Sequence, residues 1–491
     1  MNPDSWIPLT IIIPLFGAAI AFVARPASRW IGLASLVGVV VPIWLCAKRV
    51  LLTGAQIHEA GGWSASLGID LYLDGAAALM LCVTWVIGVA VAIYAPAYFG
   101  DKEQERNFWP LCLFLLAGLN ALFLSRDVFN LYVTLEIVGI AAVALVALPA
   151  KKEALTAAMR YLLVSLLGSL VFLLGVAFLY AEYSTVDQRL LAERIAATPA
   201  TFVATAAMTG GLLMKAALFP LHFWLPPAHA NAPAPVSALL SALVVKGSLF
   251  IIIRLWTQVF ADVIPFSAAQ LLGTLGAAAI FWGSLQALIQ TRLKMLIAYS
   301  TVAQLGYLFL IFPLFMTEGR PQAAWAGCFF FIAAHACAKT AMFLAAGSIL
   351  KSAGHDRIAE LASLTKAAPI SVAAFGIAGV SIIGLPPSGG FLGKWMLLNA
   401  ALGEGQWWWV AVIAVGGLLA AAYILRVLVQ IFSDVSPDPN AIRPPAAMQW
   451  TAFAMSVLAI LLGLLSAVPI ELASIESPAA AGPLLKGGPT P

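Results

Sequence analysis

The sequence predicts an all-α membrane protein of about 14 transmembrane helices. Three observations predict it. Apolar residues make up 62% of the chain and charged residues only 10%, far from a soluble globular balance. Windows of roughly 20 apolar residues, the length that crosses a hydrocarbon core, recur along the whole chain and leave no room for a sizeable soluble domain. The loops between them carry their lysines and arginines unevenly, as loops on opposite sides of a membrane do.

In order, the windows fall at 6–24, 30–47, 75–98, 108–125, 128–148, 161–181, 201–220, 236–256, 266–290, 295–315, 322–350, 370–398, 406–430 and 449–470. The first lacks a preceding basic region and is long enough to span, so it reads as a retained helix rather than a cleaved signal. An even number of spans puts both termini on one side. Loops on one side hold Arg25, Arg29, Lys102, Arg106, Lys151, Lys152, Arg160, Arg292, Lys294, Lys351, Arg357, Lys366 and Arg443. The other side holds Lys48, Arg49, Arg126, Arg189, Arg194, Arg320 and Lys486. The richer side is cytoplasmic by the positive-inside rule, which leaves both termini outside. Trp407 to Trp409 open the thirteenth window as an interfacial aromatic belt.

Two windows are broken. The seventh runs through Gly210-Gly211 and Lys215 into Pro220, Pro226 and Pro227, and the twelfth carries Gly384-Leu-Pro-Pro-Ser-Gly-Gly390 before Lys394. Such residues open backbone at membrane depth, which survives only beside protein or a cavity, and paired interruptions point to an ion site. Helices 4–8 and 9–13 then form two five-helix repeats, each with its fourth helix broken. Five is odd, so the second repeat is inverted. The expected divisions are 1–105 (helices 1–3), 106–256 (first repeat), 257–430 (second repeat) and 431–491 (helix 14 and tail).

Charge interrupts these spans. Glu136, Lys215, Lys246, Lys339 and Lys394 lie within apolar runs, and Lys294 opens one. Each charge at the bilayer centre is unfavourable by about 2.5–3.5 kcal/mol even on the lenient insertion scale. Glu136, nine residues past Asp127, lies roughly 13 Å into its helix. Neighbouring ionisable groups at such depth suit a proton relay. His335 and Lys339, at i and i+4, share one helix face. His222 and His229 flank the proline-rich turn after Lys215 and suit either gating or backbone capping. Lys294 reads equally as relay group or cytoplasmic anchor, and Arg254 and Arg426 as snorkelling from helix ends. Five scattered cysteines without C-x-x-C spacing offer no metal or cluster site. No cofactor, metal or nucleic-acid partner is expected.

Four segments resemble a known family. Lys215-Ala-Ala-Leu-Phe-Pro-Leu-His-Phe-Trp-Leu-Pro-Pro-Ala-His229, continuing to Lys246, resembles the signature of antiporter-like proton-channel subunits. Asn130 to Glu136, His335-Ala-Cys-Ala-Lys339 and Gly384 to Lys394 resemble that family's fifth-, eleventh- and twelfth-helix segments. The family includes Mrp-type sodium/proton antiporter subunits, of which the D-type is the nearest in length, and membrane-arm subunits of respiratory complex I and membrane-bound hydrogenases. The resemblance implies that Glu136 pairs with Lys215, that Lys246 is the central connector, and that Lys339 and Lys394 complete a hydrated path. It implies protons as cargo, sodium as counter-ion in the antiporter case, and other membrane subunits as partners in a bacterial cytoplasmic membrane. A redox-driven pump is the first alternative and a bicarbonate-uptake membrane subunit the second. One position departs: Gln304 stands where many relatives carry histidine, and glutamine does not titrate.

Overall fold

The computed structural model describes residues 6–62, 68–362, 364–433 and 441–479; Lys486 lies outside them. In chain order the elements are α1 (Trp6–Val23), α2 (Ser28–Thr53), β1 (Gln56–Ala60), β2 (Ile69–Leu73), α3 (Gly75–Tyr98), α4 (Lys102–Leu124), α5 (Val128–Ala147) and α6 (Lys152–Tyr183). After these come α7 (Gln188–Arg194), α8 (Pro199–Lys215), α9 (Leu225–Asn231), α10 (Ala234–Val259) and α11 (Phe266–Ile289). The chain ends with α12 (Leu293–Phe315), α13 (Gln322–Ala353), α14 (Leu364–Ala367), α15 (Pro369–Ile383), α16 (Gly389–Gly403), α17 (Trp407–Ile431), α18 (Ala446–Leu464) and α19 (Ala467–Ser474). Among the described residues, 12 helices are long and apolar enough to cross a membrane. The seventh and twelfth windows are instead two shorter helices each, α8 with α9 and α15 with α16.

Several helix starts are capped by short polar side chains. Asp74, Asp127, Thr198 and Ser388 each accept a backbone N–H from the first turn of α3, α5, α8 and α16, satisfying donors that hydrocarbon cannot. The breaks have local causes. Pro220 has no N–H to continue the helix, and beside it the indole of Trp224 donates to the carbonyl of Met214 at 2.9 Å while stacking on Tyr161 at 4.2 Å. At the other break α15 ends on Gly384, whose φ of +89° favours glycine. Gly390 then packs so close to the carbonyl of Ser381 that a Cβ would lie 1.9 Å from it.

The helices pack as two rings. In one, α4 touches α5, α5 touches α6, α6 touches α8 and α9, α8 touches α10, and α10 closes on α4. In the other, α11 touches α12, α12 touches α13, α13 touches α15 and α16, both touch α17, and α17 closes on α11. Helices α10 and α13 are enclosed along their whole spanning length, as helices apolar on every side must be. Yet they carry Lys246, His335 and Lys339.

Loops of the two sides are tied separately. A β1–β2 hairpin pairs Gln56 with Leu73 through Ala60 with Ile69, and Leu71 bridges to Ser125 and Asp127 to Asp187. On the other side Arg292 bridges to Arg357. No pattern in the sequence points to this hairpin or to α7.

Arg254 corrects an expectation. It does not snorkel: its guanidinium donates to Asp74 at 2.6 Å, with the two side chains only 5% and 1% exposed, and lies over the Phe250 ring. Asp74 is 180 residues away in sequence, so no local pattern could reveal it. Arg426 is exposed and donates to the Leu288 carbonyl, as a helix-end arginine does. Removing one partner of a buried pair leaves the other charge uncompensated. Arg254→Met is therefore expected to destabilise the fold by about 3–5 kcal/mol, read as a lower melting temperature in detergent; an unchanged midpoint would remove the pair from the stability account.

Candidate proton-relay site

Glu136 projects from the middle of α5 and Lys215 is the last residue of α8, where the broken helix ends. The Lys215 amine donates to Glu136 Oε1 at 3.2 Å and to the Leu135 carbonyl at 3.3 Å. Ser169 on α6 donates to the same carboxylate oxygen. Gly139, one turn beyond Glu136, lets α5 approach α6 closely: a Cβ there would sit 2.8 Å from the Ser165 hydroxyl. The lysine is buried and the glutamate 20% exposed.

The other lysines share a different arrangement: each amine rests on backbone carbonyls. Lys394 donates to the carbonyls of Ile382 and Ile383 at 2.8 and 3.2 Å, the last of α15. Lys294 donates to Ala230 at 3.4 Å and to Ala232, at the end of α9. Lys246 donates to the carbonyl of Ser241. That carbonyl lies in a π turn, Leu240–Val244, which the uniformly apolar sequence did not disclose. Lys339 donates to the Ile297 carbonyl at 3.1 Å and to the Ser300 hydroxyl. Carbonyls freed at helix ends carry partial negative charge. A hydrogen bond to a charged group contributes about 1.5–3 kcal/mol, so two offset the cost of one buried ammonium.

The histidines divide. His335 is buried with neither ring nitrogen hydrogen-bonded, so it is no strut. It shares a face with Lys339 but makes no bond to it, and Lys246, Lys339 and Lys394 are all within its electrostatic reach. His229 is buried at the end of α9, stacked on Phe343 at 4.9 Å and within reach of Lys294, Lys246 and Lys339. His222 stacks on Phe219 at 5.6 Å beside the break. Lys294 is 2% exposed, which excludes a surface anchor. The structure thus pairs Glu136 with Lys215 and places Lys246 and Lys339 within electrostatic reach of both His229 and His335, with Lys294 in reach of His229 and Lys394 in reach of His335.

Comparison with known proteins identifies the family of the chain. Residues 125–420 match the proton-antiporter membrane family described as "NADH:quinone oxidoreductase/Mrp antiporter, TM". The chain belongs to this family. It is 34% identical to the N-type subunit of the NADH-quinone oxidoreductase of Desulforudis audaxviator over 88% of this chain and 87% of that protein. It is 29% identical to the D-type subunit of the Na(+)/H(+) antiporter of Bacillus subtilis over 94% of both. A chain in the structure of the Mrp complex from Dietzia superposes with a TM-score of 0.89 at 27% identity, covering 98% of this chain and 97% of that one. The protein is an integral membrane member of the NADH:quinone oxidoreductase/Mrp antiporter family.

In this family member several polar residues at the site escaped sequence reading: Ser169, Ser241, Ser300 and Tyr423. Single hydroxyls in apolar helices are common packing residues, so only their partners distinguish them. At the start of α5, outside the span, burial pushes the Asp127 carboxyl up to about 6, with Asp187 and Asp70 adding to it and the backbone N–H groups of Asn130 and Phe129 opposing. The folded chain therefore holds this proton more firmly than the unfolded chain does. Stability from this position falls as pH rises from about 4 to 6. Asp127→Asn keeps the helix cap, and is expected to flatten the melting-temperature profile across that window; a slope as steep as the wild type's would place the pH response elsewhere.

Proposed function

We propose that this protein is the proton-translocating, D-type subunit of a multi-subunit Mrp-type sodium/proton antiporter. The observation that carries the reading is the Glu136–Lys215 pair at the broken end of α8, 3.2 Å apart inside the membrane region. A proton arriving at the pair neutralises Glu136 and weakens its hold on Lys215. The released ammonium repels the next cation, and Coulomb coupling between unit charges at low effective dielectric is strong enough to shift it. Lys246 connects the pair to Lys339 and Lys394, with His335, His229, His222 and Lys294 as flanking groups. The axis offers amines rather than clustered oxygen ligands, which suits protons along it.

Matching neighbour patterns in the two rings support two inverted five-helix units, 106–256 and 257–430, within fourteen spans. The lysine and arginine bias supports a bacterial cytoplasmic membrane with both termini outside. Similarity to multi-subunit membrane complexes supports other membrane subunits as partners. A redox-driven pump is the second reading, favoured by the 34% identity to a subunit of an NADH-quinone oxidoreductase. Chains that co-purify with the native assembly separate the two.

Glu136→Gln and Lys215→Ala are each expected to lower proton flux about a hundredfold in vesicles carrying the native complex, with assembly intact on a native gel. Full flux in both variants would falsify the relay.

A further inference from the structure

Three polar residues of α12, Ser300, Gln304 and Tyr307, follow at i, i+4 and i+7 and therefore share one face. They are all buried. The stripe runs between two buried amines, Lys339 on α13 and Lys394 on α16. Of the two groups that Lys339 touches, the Ile297 carbonyl accepts a hydrogen bond but cannot pass a proton on. Ser300 both accepts and donates. Lys394 likewise binds two carbonyls, and its amine lies 4.2 Å from the centre of the Tyr307 ring.

Tyr423 of α17 faces this stripe. Its hydroxyl accepts from Gln304 Nε2 at 3.4 Å and lies within hydrogen-bonding reach of Ser300. Gln304 Oε1 and the Tyr307 hydroxyl are buried with no protein partner. A buried tyrosine hydroxyl normally finds one, because leaving it without is unfavourable by about 1–3 kcal/mol.

We propose that Ser300 and Tyr423 form a hydroxyl bridge carrying protons between Lys339 and the Tyr307–Lys394 end of the axis, with Gln304 positioning Tyr423. This rests on the proton-relay reading above. Gln304 donates to the Tyr423 oxygen and so leaves the tyrosine proton free to point elsewhere. The Lys339 ammonium gives one proton to the Ser300 oxygen and becomes a neutral amine. Ser300 passes its own proton to the Tyr423 oxygen, and Tyr423 passes its own to a bridging water at the Tyr307–Lys394 end, where the Tyr307 hydroxyl is buried without a protein partner. That water gives one of its protons to the Lys394 amine, which lies over the Tyr307 ring. One proton enters and one leaves; rotation of the hydroxyls resets the bridge. No group on the bridge holds a charge between turnovers.

Tyr423→Phe keeps the ring and deletes one oxygen. In vesicles carrying the assembled native complex it is expected to lower proton flux at least tenfold, and Ser300→Ala to do the same. Adding Gln304→His to Tyr423→Phe places a titratable ring in the gap and is expected to restore most of the flux, which a packing role for Tyr423 would not allow. Wild-type flux in Tyr423→Phe overturns the bridge, and so does a loss that Gln304→His leaves unrepaired. If Tyr423→Phe does not assemble, Ser300→Ala decides: undiminished flux overturns the bridge. Lys215→Ala run alongside separates the two ideas, since it stays inactive if the relay is right and only the bridge is wrong.

Discussion

An ammonium held on backbone carbonyls that a broken helix has released is the interaction on which this structure depends. Within hydrocarbon an unpaired charge and an unpaired carbonyl are each unfavourable. Bringing them together removes both penalties at once. Lys394 does this at the end of α15, Lys294 at the end of α9, and Lys246 within the π turn of α10. Lys351 does it again at the end of α3, where its amine donates to Ala97 at 2.7 Å. At the ends of α9 and α15 the break and its lysine are thus one feature, whereas Lys339 rests on a carbonyl inside α12.

The arrangement also explains why only one acid is needed in the spans. Glu136 meets Lys215 directly, and this amine differs from the others in having a carboxylate as its partner. A carbonyl stabilises an ammonium without competing for its proton. Amines so held are hydrogen-bonded yet remain sensitive to neighbouring charge, which is what coupling along an axis requires. The enclosing helices complete the arrangement, since α10 and α13 are shielded from lipid along their spans.

Much of this was legible in the chain. Its apolar windows gave the helices, with α3 spanning 75–98 as read, and its Gly-Pro clusters gave both breaks. Glu136, Lys215, Lys246, Lys294, Lys339 and Lys394, named from sequence, all lie buried or half-buried. What stayed hidden depended on pairing between distant segments. Arg254 looked like a helix-end arginine because nothing within its own helix reveals Asp74. Lys294, beside Arg292, looked as much like a surface anchor as a relay group, until α9 was seen to end against it.

By itself the sequence determined the solvent the chain lives in, the places where its helices cannot continue, and which residues bring charge into the membrane. Those are properties of composition and local backbone chemistry, readable along the chain one segment at a time. Only the tertiary structure decided which carbonyl each amine meets, and which hydroxyls stand between Lys339 and Lys394. Hydrogen bonding is directional and short-ranged, so partners are chosen by helices that meet in space, and no periodicity along the chain records that choice.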